Sequence, residues 1–297
     1  KAAKEMRERV ERQLGSRIYG AWIGTFHALC LRILRRHGER IGLKSGFNIY
    51  DTDDQRALVK RILKEEAGDD ANHPPRSFLS RISRAKNAME SPASIDLRAF
   101  SPERKLFARI YAAYEETLRK SNAVDFDDLL LRSIELYRDC PEIADEDAER
   151  CEQLLVDEYQ DTHVLQARIL MLLRPTGNGL TVVGDDAQSI YGFRAAEVEN
   201  ILKFPDSFVP PARVIPLEQN YRSYQPILDL SNALLAESSQ AYRKMLYSNK
   251  KGGCIPALVS VESDREQALY IVEHILQARE AGAELREQAV LFRNGHH

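Results

Sequence analysis

Residues 152–162 read EQLLVDEYQDT. Leu154, Leu155 and Val156 form a short apolar run, the pattern of a buried parallel strand. Two adjacent carboxylates, Asp157 and Glu158, follow at once. In open α/β sheets, ligands bind beyond the carboxyl ends of the strands. A carboxylate there can hold Mg²⁺, a hard cation that prefers oxygen ligands and keeps several waters. Its neighbour can orient or deprotonate a water for attack on a phosphoryl group. A bare apolar run ending in Asp-Glu also fits a strand that closes in a solvated acidic turn. The continuation Tyr159-Gln160-Asp161-Thr162 makes the pattern far more specific.

On the C-terminal side, strand signals recur at 180–183, which run into Gly184-Asp185-Asp186. Another run at 213–217 leads to Asn220-Tyr221-Arg222-Ser223, and Pro205, Pro210 and Pro211 before it mark a domain junction. A helix at 226–235, strands at 257–261 and 289–292, and a helix at 266–278 then alternate, which argues for a second α/β unit. On the N-terminal side, residues 1–14 read as the tail of a helix that begins before the chain does, with no cap or start signal. Residues 25–41 read as an amphipathic helix opened by Thr25, with Phe26, Leu29, Ile33 and Leu34 on its apolar side. Between 45 and 124 the pattern is helices with polar joints. Asp51 or Thr52 caps the first, 68–75 is a loop, 78–89 is a helix, and 92–102 is a joint before a long helix through Phe107, Tyr111 and Leu118.

The chain has 297 residues, 43% hydrophobic and 29% charged, enough for two domains with sizeable cores. It holds no apolar run long enough to span a membrane, so no membrane partner is expected. Cys30, Cys140, Cys151 and Cys254 are scattered without a Cys-x-x-Cys pair, which argues against a zinc site or disulfide framework. Free thiols fit a reducing cytoplasm. Net charge is −3, but its distribution is uneven. Residues 1–44 hold eleven Lys/Arg against four Asp/Glu, and residues 136–161 hold two against ten. A polyanion groove beside a metal–nucleotide site gives that distribution. Two oppositely charged, solvated helix faces give it too, and charge alone favours these.

Five strings stand in one order: GTFHALCLRILRR at 24–36, VDFDDLL at 124–130, LLVDEYQDT at 154–162, VVGDDAQSIYGFRAA at 182–196 and LEQNYRS at 217–223. Together they resemble the UvrD/Rep/PcrA-type DNA helicases of superfamily 1, over essentially the whole chain. KAAKEM at 1–6 is similar to the end of that family's motif just after the phosphate loop. The resemblance implies ATP and Mg²⁺ as cofactors. Asp157 would coordinate the metal, Glu158 would activate the attacking water and Gln188 would sense the γ-phosphate. Arg222 would reach that phosphate from the second core domain, and Tyr221 would pack on the adenine. Gln160 and Arg194 would couple the nucleotide to the DNA. Tyr191 and Phe193 would stack on unpaired bases, a contact that every base offers whatever the sequence. Thr25, Phe26 and His27 match the family's strand-contacting motif, and Phe126 is a further candidate that core packing also explains. The chain departs from the family at Ala187, where Asp is common, and at Ala196, where Gly is common.

The expected fold is α/β. An incomplete RecA-like parallel-sheet core domain spans 1–44 and 125–212, an all-helical insertion spans 45–124, and part of a second RecA-like domain spans 213–297. No G-x-x-x-x-G-K-[ST] string occurs in the 297 residues. That loop cradles phosphates with backbone N–H groups and a Lys. The family's later motifs are missing as well. The chain therefore reads as a central piece of a larger helicase, inactive as an ATPase by itself, with His296-His297 either native or a tag remnant. The parent would translocate 3′ to 5′ on single-stranded DNA and open duplex junctions at the expense of ATP. Two other readings stand beside it. One is a non-catalytic DNA-binding or partner-docking module derived from a helicase, which a start codon just before Lys1 would favour. The other is a nuclease-fused helicase of the recombination type.

Overall fold

The computed structural model describes residues 2–67, 74–98, 100–190, 192, 197–237 and 242–292. The chain divides into two compact units, Lys1–Ile215 with Gln240–Tyr242, and Pro216–Ser239 with Arg243–His297. In the first unit, α1 (Ala2–Leu14) precedes α2 (Phe26–His37). Thr25 opens α2 by accepting the Ala28 N–H at 3.3 Å. One tighter turn, Gly38–Ile41, extends it, and the chain leaves through Gly42 in the left-handed region. Next come β1 (Asn48–Ile49) and α3 (Thr52–Ala67), where Asp51 accepts the N–H groups of Asp53 and Asp54 at 2.8 and 2.9 Å. Helices α4 (Pro75–Asn87), α5 (Pro92–Leu97) and α6 (Pro102–Lys120) each open on proline, whose missing N–H is not needed in a first turn. The unit continues through β2 (Ala123–Val124), α7 (Phe126–Asp139), α8 (Pro141–Arg150), β3 (Leu154–Val156), α9 (Val164–Leu173), β4 (Leu180–Val182) and α10 (Glu199–Leu202). The second unit contains α11 (Gln225–Ala236) and α12 (Asp264–Glu280).

The molecule is thus mostly helical, with two small parallel sheets among the described residues. In one, β1 and β2 pair Asn48 with Ala123 and Ile49 with Val124. In the other, β3 and β4 pair Leu154, Leu155 and Val156 with Leu180, Thr181 and Val182. Helix α9 is the crossover that parallel pairing requires. Three apolar clusters hold the first unit. Cys30 and Leu34 of α2 pack with Leu130 and Tyr137 of α7, Ile143 of α8 and Leu165 of α9. Val59 and Ile62 of α3 pack with Phe78 and Ile82 of α4, Ile95 of α5, and Ile110 and Tyr114 of α6. Val156, Tyr159 and Leu170 pack with Ile201, Phe204 and Phe208. In this last cluster Tyr159 meets Phe204 edge-on, and Phe204 meets Phe208 likewise, each pair with ring centroids 5.2 Å apart. No helix among the described residues is long and apolar enough to cross a membrane.

The structure departs from the sequence expectations at three places. The segment expected to be all-helical also carries β1 near its start and β2 at its end. The joint at 92–102 contains α5, because Ser91 accepts the Ser94 N–H ahead of Pro92 and Ile95 has a core to enter. The runs at 213–217, 257–261 and 289–292 are not strands, and an isolated bridge, Gln219 to Tyr247, is what pairs in the second unit among the described residues. Their side chains remain in solvent, with Leu258 97% and Leu291 94% exposed. An alternating or apolar run specifies a face for burial, but a strand also needs a hydrogen-bonded neighbour. The loop expected at 68–75 lies largely outside the described residues, as do His296 and His297.

Candidate functional site

Strand β3 delivers Asp157 and Glu158 to an exposed edge beyond its carboxyl end. The turn that follows has a specific construction. Glu158 sits at φ +53° and ψ +43°, the left-handed region that a non-glycine residue adopts only under constraint. Three hydrogen bonds supply the constraint. The Asp157 carboxylate accepts the Glu158 N–H at 3.0 Å, Tyr159 N–H donates to the Val183 carbonyl at 2.9 Å, and the Gln160 amide donates to Glu158 Oε2 at 2.8 Å.

Gln160 is the hub, buried to 1% exposure. Its side-chain oxygen accepts the Asp185 N–H at 3.0 Å, so it ties the turn after β3 to the loop after β4. Asp185 in turn accepts the Ala187 N–H at 3.1 Å and the Gln188 side-chain amide at 2.9 Å. The chain of contacts Glu158–Gln160–Asp185–Gln188 joins four residues spread over 31 positions. Its neighbour Asp161 has a carboxyl raised above its ordinary value by burial and by the charge of Glu158.

Gly184 makes the hub fit. A Cβ added there would lie 2.6 Å from Gln160 Oε1 and 2.7 Å from Ile201 Cδ1. Gly184→Ala is therefore expected to destabilise the first unit by about 1–3 kcal/mol through overpacking. Urea unfolding followed by circular dichroism measures it. An unchanged midpoint would mean that the two loops are not held at this separation.

The residues expected to touch a strand have mixed surroundings. The Thr25 hydroxyl serves as the cap of α2, and Phe26 is half-buried against two of the apolar clusters. His27 meets the exposed ring of Phe126 edge-on, with centroids 6.3 Å apart and planes at 68°. Burial lowers the pKa of His27 against the pull of Asp127. His163, at the start of α9, has its pKa lowered to about 4 by burial and then by the charge of His27. Both shifts favour the neutral imidazole over the charged one. Sequence reading passed over His163, whose position beside His27 follows from α2 and α9 both packing on α7. Tyr191, Phe193 and Arg194 lie outside the described residues.

Sequence reading also passed over Lys86, on α4. It is 0% exposed, and its ammonium contacts Glu115, Asp125 and Asp128 at 2.7, 2.8 and 2.7 Å. Burial, the largest influence, would lower its pKa, but Asp128, Asp125 and Glu115 together hold it well above the ordinary value. Asp125 and Asp128 form a capping box at the head of α7, with Asp128 N–H to Asp125 Oδ1 at 2.9 Å and Asp125 N–H to Asp128 Oδ2 at 3.1 Å. Tyr114 donates to the other oxygen of Asp125 at 2.9 Å.

Tyr221 and Arg222 belong to the second unit. There the Asn220 side chain accepts the N–H groups of Arg222 and Ser223 at 2.9 and 2.7 Å, which folds LEQNYRS into a turn. Lys250 closes that turn on the Arg222 carbonyl at 2.8 Å. Tyr221 is 75% exposed, and the Arg222 side chain forms no ion pair among the described residues.

Comparison with known proteins agrees with this arrangement of motifs. Residues 1–209 match the model of the UvrD/REP helicase N-terminal domain, and residues 215–297 match that of the UvrD-like helicase C-terminal domain. The chain is 38% identical over 293 residues to the ATP-dependent DNA helicase PcrA of Staphylococcus epidermidis and 36% identical over 293 residues to that of Staphylococcus aureus. These alignments cover 99% of the chain and 40% of each relative. With a family model matched over more than half its length, the chain belongs to the UvrD/REP helicase family.

Proposed function

We propose that this chain forms part of an ATP-dependent DNA helicase that moves along single-stranded DNA and opens duplex at junctions. The observation that carries the reading is the tie from Glu158 through Gln160 to Asp185 and Gln188, beyond the carboxyl ends of two parallel strands. In this reading β3, α9 and β4 belong to a RecA-like core, α3 to α6 are its helical insertion, and the second unit is part of a second RecA-like domain. The free cysteines suit a reducing compartment such as the cytoplasm.

Asp157 would hold Mg²⁺. Among the described residues no three His, Cys, Asp or Glu side chains gather into a metal cage. A carboxylate completed by phosphate and water oxygens is a usual setting for Mg²⁺ beside a nucleotide. When bound, Mg²⁺–ATP supplies the phosphoryl group and partial neutralisation of its charge. Glu158, exposed and aimed by the Gln160 amide, accepts a proton from the attacking water. Gln188, held by Asp185, reports the γ-phosphate to the loop after β4, and Gln160 carries that report back to Glu158. Tyr221 and Arg222 serve the adenine and the γ-phosphate, and Arg194 links the nucleotide to the DNA side. Thr25, Phe26, His27, Phe126, Tyr191 and Phe193 would serve the DNA strand.

The DNA side has a direct test on the 297-residue chain. Fluorescence anisotropy with labelled oligo-dT compares wild type with Tyr191→Ala and Phe193→Ala. Each substitution is expected to remove about 1–3 kcal/mol per base contacted, and affinity should fall as salt rises. If neither changes affinity while a Lys or Arg substitution within 1–44 does, the stacking roles are wrong.

A further inference from the structure

Phe126 stands among three aspartates, and α4 grips all of them. Lys86 contacts Asp125 at 2.8 Å and Asp128 at 2.7 Å, and Asn87, the next residue, donates to Asp127 at 3.1 Å. Asp125 and Asp128 are buried and Asp127 is half-buried, whereas the Phe126 ring is 49% exposed. The ring is therefore the one side chain of the four that the first turn of α7 presents outward. Its neighbour across the surface is His27. The grip comes from a separate apolar cluster, because Phe78, Ile82 and Ala85 of α4 pack with α3, α5 and α6, while α7 packs with α2 and α9.

We propose that Lys86 and Asn87 are positioning residues for Phe126, so that the helical subdomain sets the aromatic edge that Phe126 and His27 offer to a single strand. The inference rests on the strand-binding role given to Phe126 above. A ring presented at a helix start has no depth of packing to orient it. Fixing the residues on both sides of it restricts the backbone, and so the direction of the ring. A pre-oriented ring loses less rotamer freedom on stacking than a free one. Movement of α4 would also swing the ring, which links the subdomain mechanically to the strand.

The test is oligo-dT affinity by fluorescence anisotropy on the 297-residue chain, with helix content followed by circular dichroism. Phe126→Ala is expected to weaken binding by about fivefold or more. Two variants loosen the grip. Asn87→Ala removes a half-buried contact and should fold. Lys86→Met with Asp128→Asn removes the cation and one of its carboxylates while keeping an acceptor for the Asp125 N–H. Each is expected to weaken binding by about threefold or more in the wild-type background and to add nothing in the Phe126→Ala background. Equal losses in both backgrounds would show a general structural effect and overturn the proposal. Unchanged affinity in both grip variants, with Phe126→Ala still weakened, would overturn it while leaving the strand face intact. If Phe126→Ala binds as wild type, the strand-binding role of Phe126 falls and the inference falls with it.

Discussion

In a form of the protein that carries a phosphate loop, Glu158→Gln is expected to leave nucleotide affinity nearly intact and to lower DNA-stimulated ATP turnover by about 10²–10⁴-fold. The substitution keeps the size and shape of the side chain and removes its ability to take a proton. The left-handed backbone at Glu158 is held by contacts of its own N–H and of Tyr159, so the turn should persist. Gln160 Nε2, 2.8 Å from Glu158 Oε2, still finds an oxygen acceptor on a glutamine. A loss confined to turnover marks an interaction made in the transition state. Asp157→Ala provides the contrast, because a lost metal ligand should weaken Mg²⁺-dependent nucleotide binding and turnover together. Turnover and nucleotide affinity of both variants decide the matter. Near-wild-type turnover in Glu158→Gln would make the pair a solvated acidic turn and end the hydrolytic assignment.

The second large effect is on stability. Lys86→Met is expected to destabilise the first unit by about 3–5 kcal/mol, because it leaves buried carboxylates without their cation. Asp125 and Asp128 have almost no exposure, and among the described residues Glu115 keeps Arg132, at 3.4 Å, as its one basic partner. Burial already pushes the Asp128 carboxyl up to about 7 despite the nearby ammonium. Adding Asp128→Asn to Lys86→Met should recover part of the loss, since one charge fewer is stranded. Urea titration followed by helix circular dichroism measures all three proteins. A loss below about 1 kcal/mol for the single variant would mean that the cluster is hydrated and not the buried joint described.

The site was legible in the sequence wherever its chemistry is local. The run Leu154–Val156 became β3 in a parallel pair, as a short apolar run between polar segments suggests, but the expected burial holds for Val156 alone of the three, with Leu155 74% exposed. Asp157 and Glu158 then had to fall at its carboxyl end. Thr25 and Asp51 fixed helix starts through contacts spanning three residues, whereas the same kind of cap at Ser91 was passed over because the short helix it opens needs Ile95 to find a core. Tertiary structure alone decided what those elements meet. Gln160 reaches Asp185 across 25 positions, and Lys86 reaches Asp125 across 39. No periodicity or cap encodes such a pair, since it forms only when separate apolar faces pack and bring two backbones together. The runs at 213–217, 257–261 and 289–292 fail for the same reason. Their sequence specifies a face to bury, and only a neighbouring strand can turn that face into a sheet.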